Sequence, residues 1–245
     1  MSEAIYYDLR QSSGPTVSLA THIAREIGTR IISSDYVPGE LVEDEATLAQ
    51  YYEVSRSVIR DSVKILVGKG LLEVRRGIGT RVRSRAEWGL LDDDVLAWHQ
   101  AVPVNPGTLC QLTDIREVFE PQAARWAAER SSEQDRALIK DAFGDMEREA
   151  ASVDAFVVAD AAFHRAILRA TRNEFLIALE GVIFSALLSS IRLTNRAPGE
   201  NEIALNLHRA VAEAIVQRDG PAAEDYMKKM LADASKRLKD SIAMT

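Results

Sequence analysis

The chain has 245 residues, 47% hydrophobic and 27% charged, enough for one large domain or two ordinary ones with a sizeable core. No apolar run approaches the roughly 18 residues that cross a bilayer, the first fifteen residues lack a leader-like apolar stretch, and the single Cys110 cannot close an internal disulfide, so a cytoplasmic protein is expected. The net charge of −7 is uneven: residues 54–85 hold nine Lys/Arg against Asp61 and Glu73, whereas residues 86–245 hold 18 basic and 26 acidic side chains, the pattern of a nucleic-acid-binding module joined to an acidic domain.

In chain order, residues 1–16 have weak periodicity and end in Ser-Ser-Gly-Pro, which predicts a flexible arm. Leu19, Ile23, Ile27 and Ile31 predict a helix over 18–32. A Pro38-Gly39 turn follows, then a short helix at 44–52 and a third from a Ser55 cap to residue 68. β-like stretches at 71–75 and 80–83 flank Arg76-Gly77-Ile78-Gly79, a tip with the glycines a tight hairpin wants. Residues 17–84 therefore read as a winged helix-turn-helix. Residues 85–103 read as a linker with an acidic knot, Asp92-Asp93-Asp94, closed by Pro103 and Pro106. From 104 to 245 the pattern is helical, near 108–129, 132–151, 153–171, 173–195, 201–218 and 221–241. Ser132 with Asp135 opens the second in a capping box, and Asp219-Gly220-Pro221 separates the last two. The fold class is mostly α, with an all-helical antiparallel bundle behind the winged helix.

Leu48, Val54, Val58, Val63 and Leu66 are spaced to pack two helices across a short turn. Ser55, Arg56, Ser57 and Arg60 then face outward at the start of the second helix. That is what a recognition helix needs, since hydroxyls and backbone amides take phosphates and Arg reads guanine edges in the major groove. The basic tip Arg75-Arg76-Gly77 suits the neighbouring backbone or minor groove. Ser-Arg at a helix start is also ordinary capping chemistry, but the wing directly behind it favours DNA. The run 54–63, with Leu66, Gly70-Leu71-Leu72 and Gly77-Ile78-Gly79-Thr80-Arg81-Val82, resembles the operator-binding domain of the GntR family. The resemblance covers 17–83 and implies that Ser55, Arg56, Ser57, Arg60, Arg76 and Gly77 contact operator DNA. Ala46 departs from it, because many members carry a basic, base-reading residue there.

The helical remainder resembles the FCD effector domain of the FadR subfamily, through Arg116-Glu117-Val118-Phe119-Glu120-Pro121, Asp160-x-x-x-His164, Thr171-Arg172-Asn173 and His208. Asp160 and His164, at i and i+4, share one helix face, and His208 on a neighbouring helix can complete a three-ligand site for a divalent metal ion such as zinc. An Asp/His pair at this spacing is also an ordinary surface ion pair. Arg116 on an apolar helix suits a carboxylate clamp. Where many metal-binding members have a fourth, histidine ligand, this chain has Met230, a poor ligand for such ions.

The stretch 88–98, the run 120–130 and the tail 235–239 are similar to relatives that answer to sugar acids. The resemblance implies a homodimeric repressor released by a galactonate-like carboxylate effector, held by Arg116, Asp160, His164 and His208, with Asn195 or Arg192 nearby. A metal-dependent enzyme acting on a small carboxylate is the alternative, but no further base is placed to serve it. An architectural DNA protein that senses nothing is a second.

Overall fold

The computed structural model describes residues 2–10, 18–194 and 200–243, and the chain divides into two compact units, 1–103 and 104–245. In the first unit, helices α2 (Leu19–Ile32), α3 (Glu45–Tyr51) and α4 (Arg56–Gly68) precede a hairpin of β1 (Leu72–Arg75) and β2 (Gly79–Val82). Ser18, Asp44 and Ser55 each accept a first-turn backbone N–H, satisfying donors that no intrahelical carbonyl reaches. Ile23, Ile27 and Ile31 of α2 close over Leu48 of α3 and Ile59, Val63 and Leu66 of α4, and Leu72 and Val82 seal the same core. Val54 and Val58 only border this core, whereas Ile59, unmarked by the pattern above, lies at its centre. The strands pair antiparallel from Leu72↔Val82 to Arg75↔Gly79, and Leu41 bridges to Arg81 along the outer edge. Gly77 sits at φ +79° at the tip, a conformation glycine adopts without a Cβ clash.

Two stretches read as connections are built into this unit. Residues 2–10 form α1 (Ser2–Arg10), where the sequence suggested part of an arm. Tyr6 is buried, its hydroxyl donates to Asp93 Oδ1 at 3.0 Å, and the Tyr7 hydroxyl donates to Asp94 Oδ1 at 2.7 Å. Arg25 of α2 forks onto Glu3. The periodicity was weak because α1 commits few apolar side chains to the core. The remaining arm residues, 11–17, lie outside the described residues. The stretch expected to be a linker holds a 3-10 turn (Arg85–Glu87) and α5 (Asp93–His99), whose Val95 and Trp98 join Trp88 in the core. The acidic knot is not a solvated loop. Asp92 caps α5, and Lys69 Nζ, just past α4, reaches Asp92 at 2.7 Å and Asp94 at 2.6 Å.

The second unit is a helical bundle of α6 (Pro106–Arg130), α7 (Glu133–Arg148), α8 (Val153–Ala170), α9 (Glu174–Ala178), α10 (Glu180–Thr194), α11 (Glu200–Val216) and α12 (Gly220–Ala243). Helix α6 lies against α12 and α8, α7 against α8 and α11, and α11 against α12. Phe156, Phe163, Ile183, Phe184, Val211, Ile215, Met227 and Leu231 fill the interior. Ser132 and Asp135 cap α7 reciprocally. The single helix expected over 173–195 is divided into α9 and α10. At Leu179 the backbone bonds run three residues back, Leu179 to Leu176 and Val182 to Leu179, which tightens the chain by 3-10 geometry. No described helix is long and apolar enough to cross a membrane.

Gly28 of α2 lies under Trp98, and a Cβ there would sit 2.4 Å from the indole ring. Gly28→Ala should therefore lower the urea midpoint of the first unit, with overpacking of about 1–3 kcal/mol outweighing a helix-propensity gain of up to about 1 kcal/mol. Gly68→Ala, with nothing within 4 Å, should raise it.

Candidate nucleic-acid interface and buried polar site

The hydroxyl of Ser55 caps α4 and lies 2.8 Å from that of Ser57. Ser55, Arg56, Ser57 and Arg60 are all exposed on the first turns of this helix, so free backbone N–H groups, hydroxyls and guanidinium groups share one tip. A helix start of this kind attracts phosphate. Arg60 is partnered within the chain. It forks onto Glu45 of α3, Nε to Oε1 at 3.2 Å and Nη2 to Oε2 at 2.7 Å, a pairing the sequence reading did not include. Arg76 and Gly77 are exposed at the hairpin tip, with Arg75 beside them paired to Glu73 at 2.9 Å. The six candidate DNA contacts thus fall on two prominences, four on α4 and two on the wing.

In the second unit, α8 carries Asp160 and His164 in the same stripe as Phe156, Phe163 and Ile167, so packing of that stripe buries them. His208 comes from α11 and Arg116 from α6, and all four are buried. The ligand atoms of Asp160, His164 and His208 lie within 4.8 Å of one another. His208 Nε2 is 2.8 Å and His164 Nε2 3.4 Å from Asp160 Oδ1. Each ring is fixed from behind: His164 Nδ1 lies 2.6 Å from Glu120 Oε2, and His208 Nδ1 lies 2.7 Å from the Ala204 carbonyl. Metal-binding histidines are typically oriented in this way, with one nitrogen backed by a carboxylate or carbonyl and the other turned to the ion. His208 Nδ1 is thus backed by a carbonyl while its Nε2 faces Asp160. The donor set therefore fits a three-ligand N2O site.

Burial by itself would push the buried carboxyls up and the imidazole down. Neighbouring charge overrides it. Burial raises Glu120, but Arg116 and His164 outweigh this and hold it down to about 2. Asp160 is likewise held well below the usual carboxylate range by His208 and His164 against burial. Burial lowers His164, but Glu120 and Asp160 outweigh it and hold it up to about 9. Glu120 was quoted in the sequence motif without a role. Its signal was the i,i+4 spacing to Arg116, and Arg116 Nε now lies 2.5 Å from Glu120 Oε1. The anion that a buried arginine requires is thus supplied by the chain itself.

A cavity of about 50 Å³ opens on this cluster, lined by Arg116, Asp160, His164 and His208 together with Met230, Ser190 and Arg237. Met230 therefore borders the cluster, at the place where the family resemblance set it. Arg237 was missed, although Met230, Ala234 and Arg237 share one face of α12; its Nε lies 3.0 Å from Asp233 Oδ2. Asn195 lies outside the described residues, as does the side chain of Arg192.

Residues 19–82 match the family described as bacterial regulatory proteins, gntR family, and residues 111–233 match the FCD domain. The chain is 33% identical over 226 residues to the galactonate operon transcriptional repressor of Escherichia coli (strain K12), covering 92% of this chain and 99% of that repressor. It is 31% identical over 166 residues to the HTH-type transcriptional regulator LutR of Bacillus subtilis (strain 168), covering 68% and 74% of the two chains. A solved structure of Lar, which controls the expression of the Listeria monocytogenes agr system, matches with a TM-score of 0.66 at 18% identity, over 91% of this chain and 97% of that one. At that identity the likeness is one of fold.

The charge pattern sets a pH dependence for metal-free protein. The depressed Glu120 contributes stability that is present above its ordinary 4.5 and lost as pH falls towards 2. The raised His164 contributes stability that is full below 6.5 and lost as pH rises through about 9. The melting temperature of the second unit in chelator should therefore fall between pH 7 and pH 10, and this alkaline slope should flatten in His164→Gln.

Proposed function

The chain belongs to the GntR family of bacterial regulatory proteins and carries an FCD domain, and we propose that it is a repressor released from its operator by a sugar-acid carboxylate. It is a DNA-binding transcription regulator and not an enzyme, as its domains and relatives are. In this reading residues 17–84 bind the operator, 104–245 hold the effector, and the protein works in the cytoplasm as a homodimer on two half-sites. Ser55, Ser57 and Gly77 take phosphates, Arg56 and Arg60 read base edges, and Arg76 reaches the neighbouring groove. A named relative that represses a galactonate operon supports an aldonate of that type.

The observation that carries the effector reading is the cavity that collects Arg116, Asp160, His164 and His208 from three helices. Asp160, His164 and His208 would hold a divalent ion, zinc or a similar one, which supplies a Lewis-acid point for carboxylate and hydroxyl oxygens. Arg116 presents its remaining N–H groups beside His164, with Nη2 at 3.4 Å from Nε2. Arg116 is paired with Glu120 and Arg237, at the cavity wall, with Asp233, so the acid would draw on the N–H groups that these pairs leave over. A cavity of about 50 Å³ is far below the ~300 Å³ of small-molecule pockets. An effector of that size would need more room than this cavity gives, and a preference for a more open packing is what lets a ligand shift an equilibrium.

Thermal-shift measurements with a panel of aldonic and uronic acids test the reading. D-Galactonate or a close aldonate should stabilise the protein, by roughly 2.7 kcal/mol at a hundredfold excess over Kd, and prior chelation should shrink the shift. A panel in which no acid moves the melting temperature would remove the sugar-acid reading. Arg56→Ala should lose operator binding yet keep the wild-type thermal shift; retained operator binding at ordinary salt would displace α4 from the groove.

A further inference from the structure

The two family matches span 19–82 and 111–233, and outside them lie α1 and the acidic turn at 92–94. These are joined to each other and to α4. Tyr6 and Tyr7, adjacent on α1, donate to Asp93 and Asp94. The carboxylate of Asp94 that accepts from Tyr7 also receives Lys69 through its other oxygen, and Asp92 receives Lys69 as well. Lys69 is the C-cap residue of α4, and its side chain is only 12% exposed. Glu3 ties the start of α1 to Arg25 of α2. The backbone repeats the connection: Gly89 N–H donates to the Lys69 carbonyl at 2.8 Å, and a Cβ on Gly70 would lie 2.3 Å from the Glu87 carbonyl oxygen.

We propose that α1 is a positioning element for operator binding, which orients the Asp92–Asp94 carboxylates so that they clamp Lys69 and hold the end of the recognition helix against α5. The chemistry favours this over simple covering of apolar surface. Three adjacent carboxylates repel one another and would leave the turn open, and a single lysine cannot answer all three. Two phenol donors engage the two carboxylates of the α5 first turn and free Asp92 to cap the helix. Since Lys69 immediately follows α4, a loosened turn frees the last turn of that helix and with it the orientation of the whole rigid element. The reading concerns DNA affinity alone and stands whether or not a sugar acid is the effector.

The test uses the full chain and a duplex selected by the wild-type protein from a random library. Deletion of residues 2–10 should weaken binding to that duplex about tenfold, a loss of ~1.4 kcal/mol, while binding to an unselected duplex changes far less. Tyr7→Phe, which removes one hydroxyl, should weaken selected-duplex binding about threefold. It should also speed amide hydrogen exchange at 64–69 and 93–99. Equal affinity in both variants, even with a lowered melting temperature, overturns the proposal and leaves α1 a covering element. If the deletion does not fold, Tyr7→Phe decides alone: unchanged exchange at 64–69 with unchanged affinity refutes the clamp.

Discussion

Asp160 Oδ1 lies 2.8 Å from one imidazole and 3.4 Å from another, in a bundle that buries all three groups. Charge removed from water is tolerated only where it is matched by charge and hydrogen bonds, and this match runs from α6 through α8 to α11. Arg116 answers Glu120, Glu120 backs His164, and His164 and His208 flank Asp160. Each contact needs its helix at one register, because a turn of slip would leave a bare ion in an apolar interior. Phe163 packs edge-on against both imidazoles. The polar set selects which of the many apolar packings is the native one. In the proposed reading an effector oxygen entering this set would have to rearrange contacts already made.

The first unit uses a related arrangement nearer its surface. Its core would suffice for three helices and a hairpin, yet it also takes in Trp88, Val95 and Trp98. What looks in sequence like a tether between two domains is thus mostly part of one of them. The stretch that joins the units is short: α5 ends at His99 and α6 begins at Pro106. That short segment is the covalent link between the units, and α5, which precedes it, is packed beside α2.

The legible part of this fold is the part in which local pattern determines the outcome. The helix period places Asp160 over His164, and capping residues mark Ser55 and Ser132. Glu120 was visible at i+4 from Arg116, but its effect is electrostatic and appears only when both are known to be buried. His208 became readable through likeness to a family, since nothing local links it to Asp160, 48 positions earlier. Tyr6 and Asp93 are 87 residues apart, and the lining by Ser190 and Arg237 depends on how α10 and α12 pack. Ile59 is not singled out by pattern because Val54 and Val58 offer an equally good apolar stripe with Val63, and only the packing of α2 on α4 decides that Ile59 joins Val63 in the core.

The pairing of Arg60 with Glu45 bears on how such a protein finds its site. An unpaired guanidinium on a helix tip would be drawn to any phosphate, and the molecule would linger on irrelevant sequence. A carboxylate at its side weakens that indiscriminate attraction and makes the cation costlier to recruit. In the proposed reading, a base edge that satisfies the whole fork compensates for giving up Glu45. The exposed ion pair adds little to holding the fold together; for a regulator that reads bases through Arg60, its value would lie in short dwell times on wrong DNA.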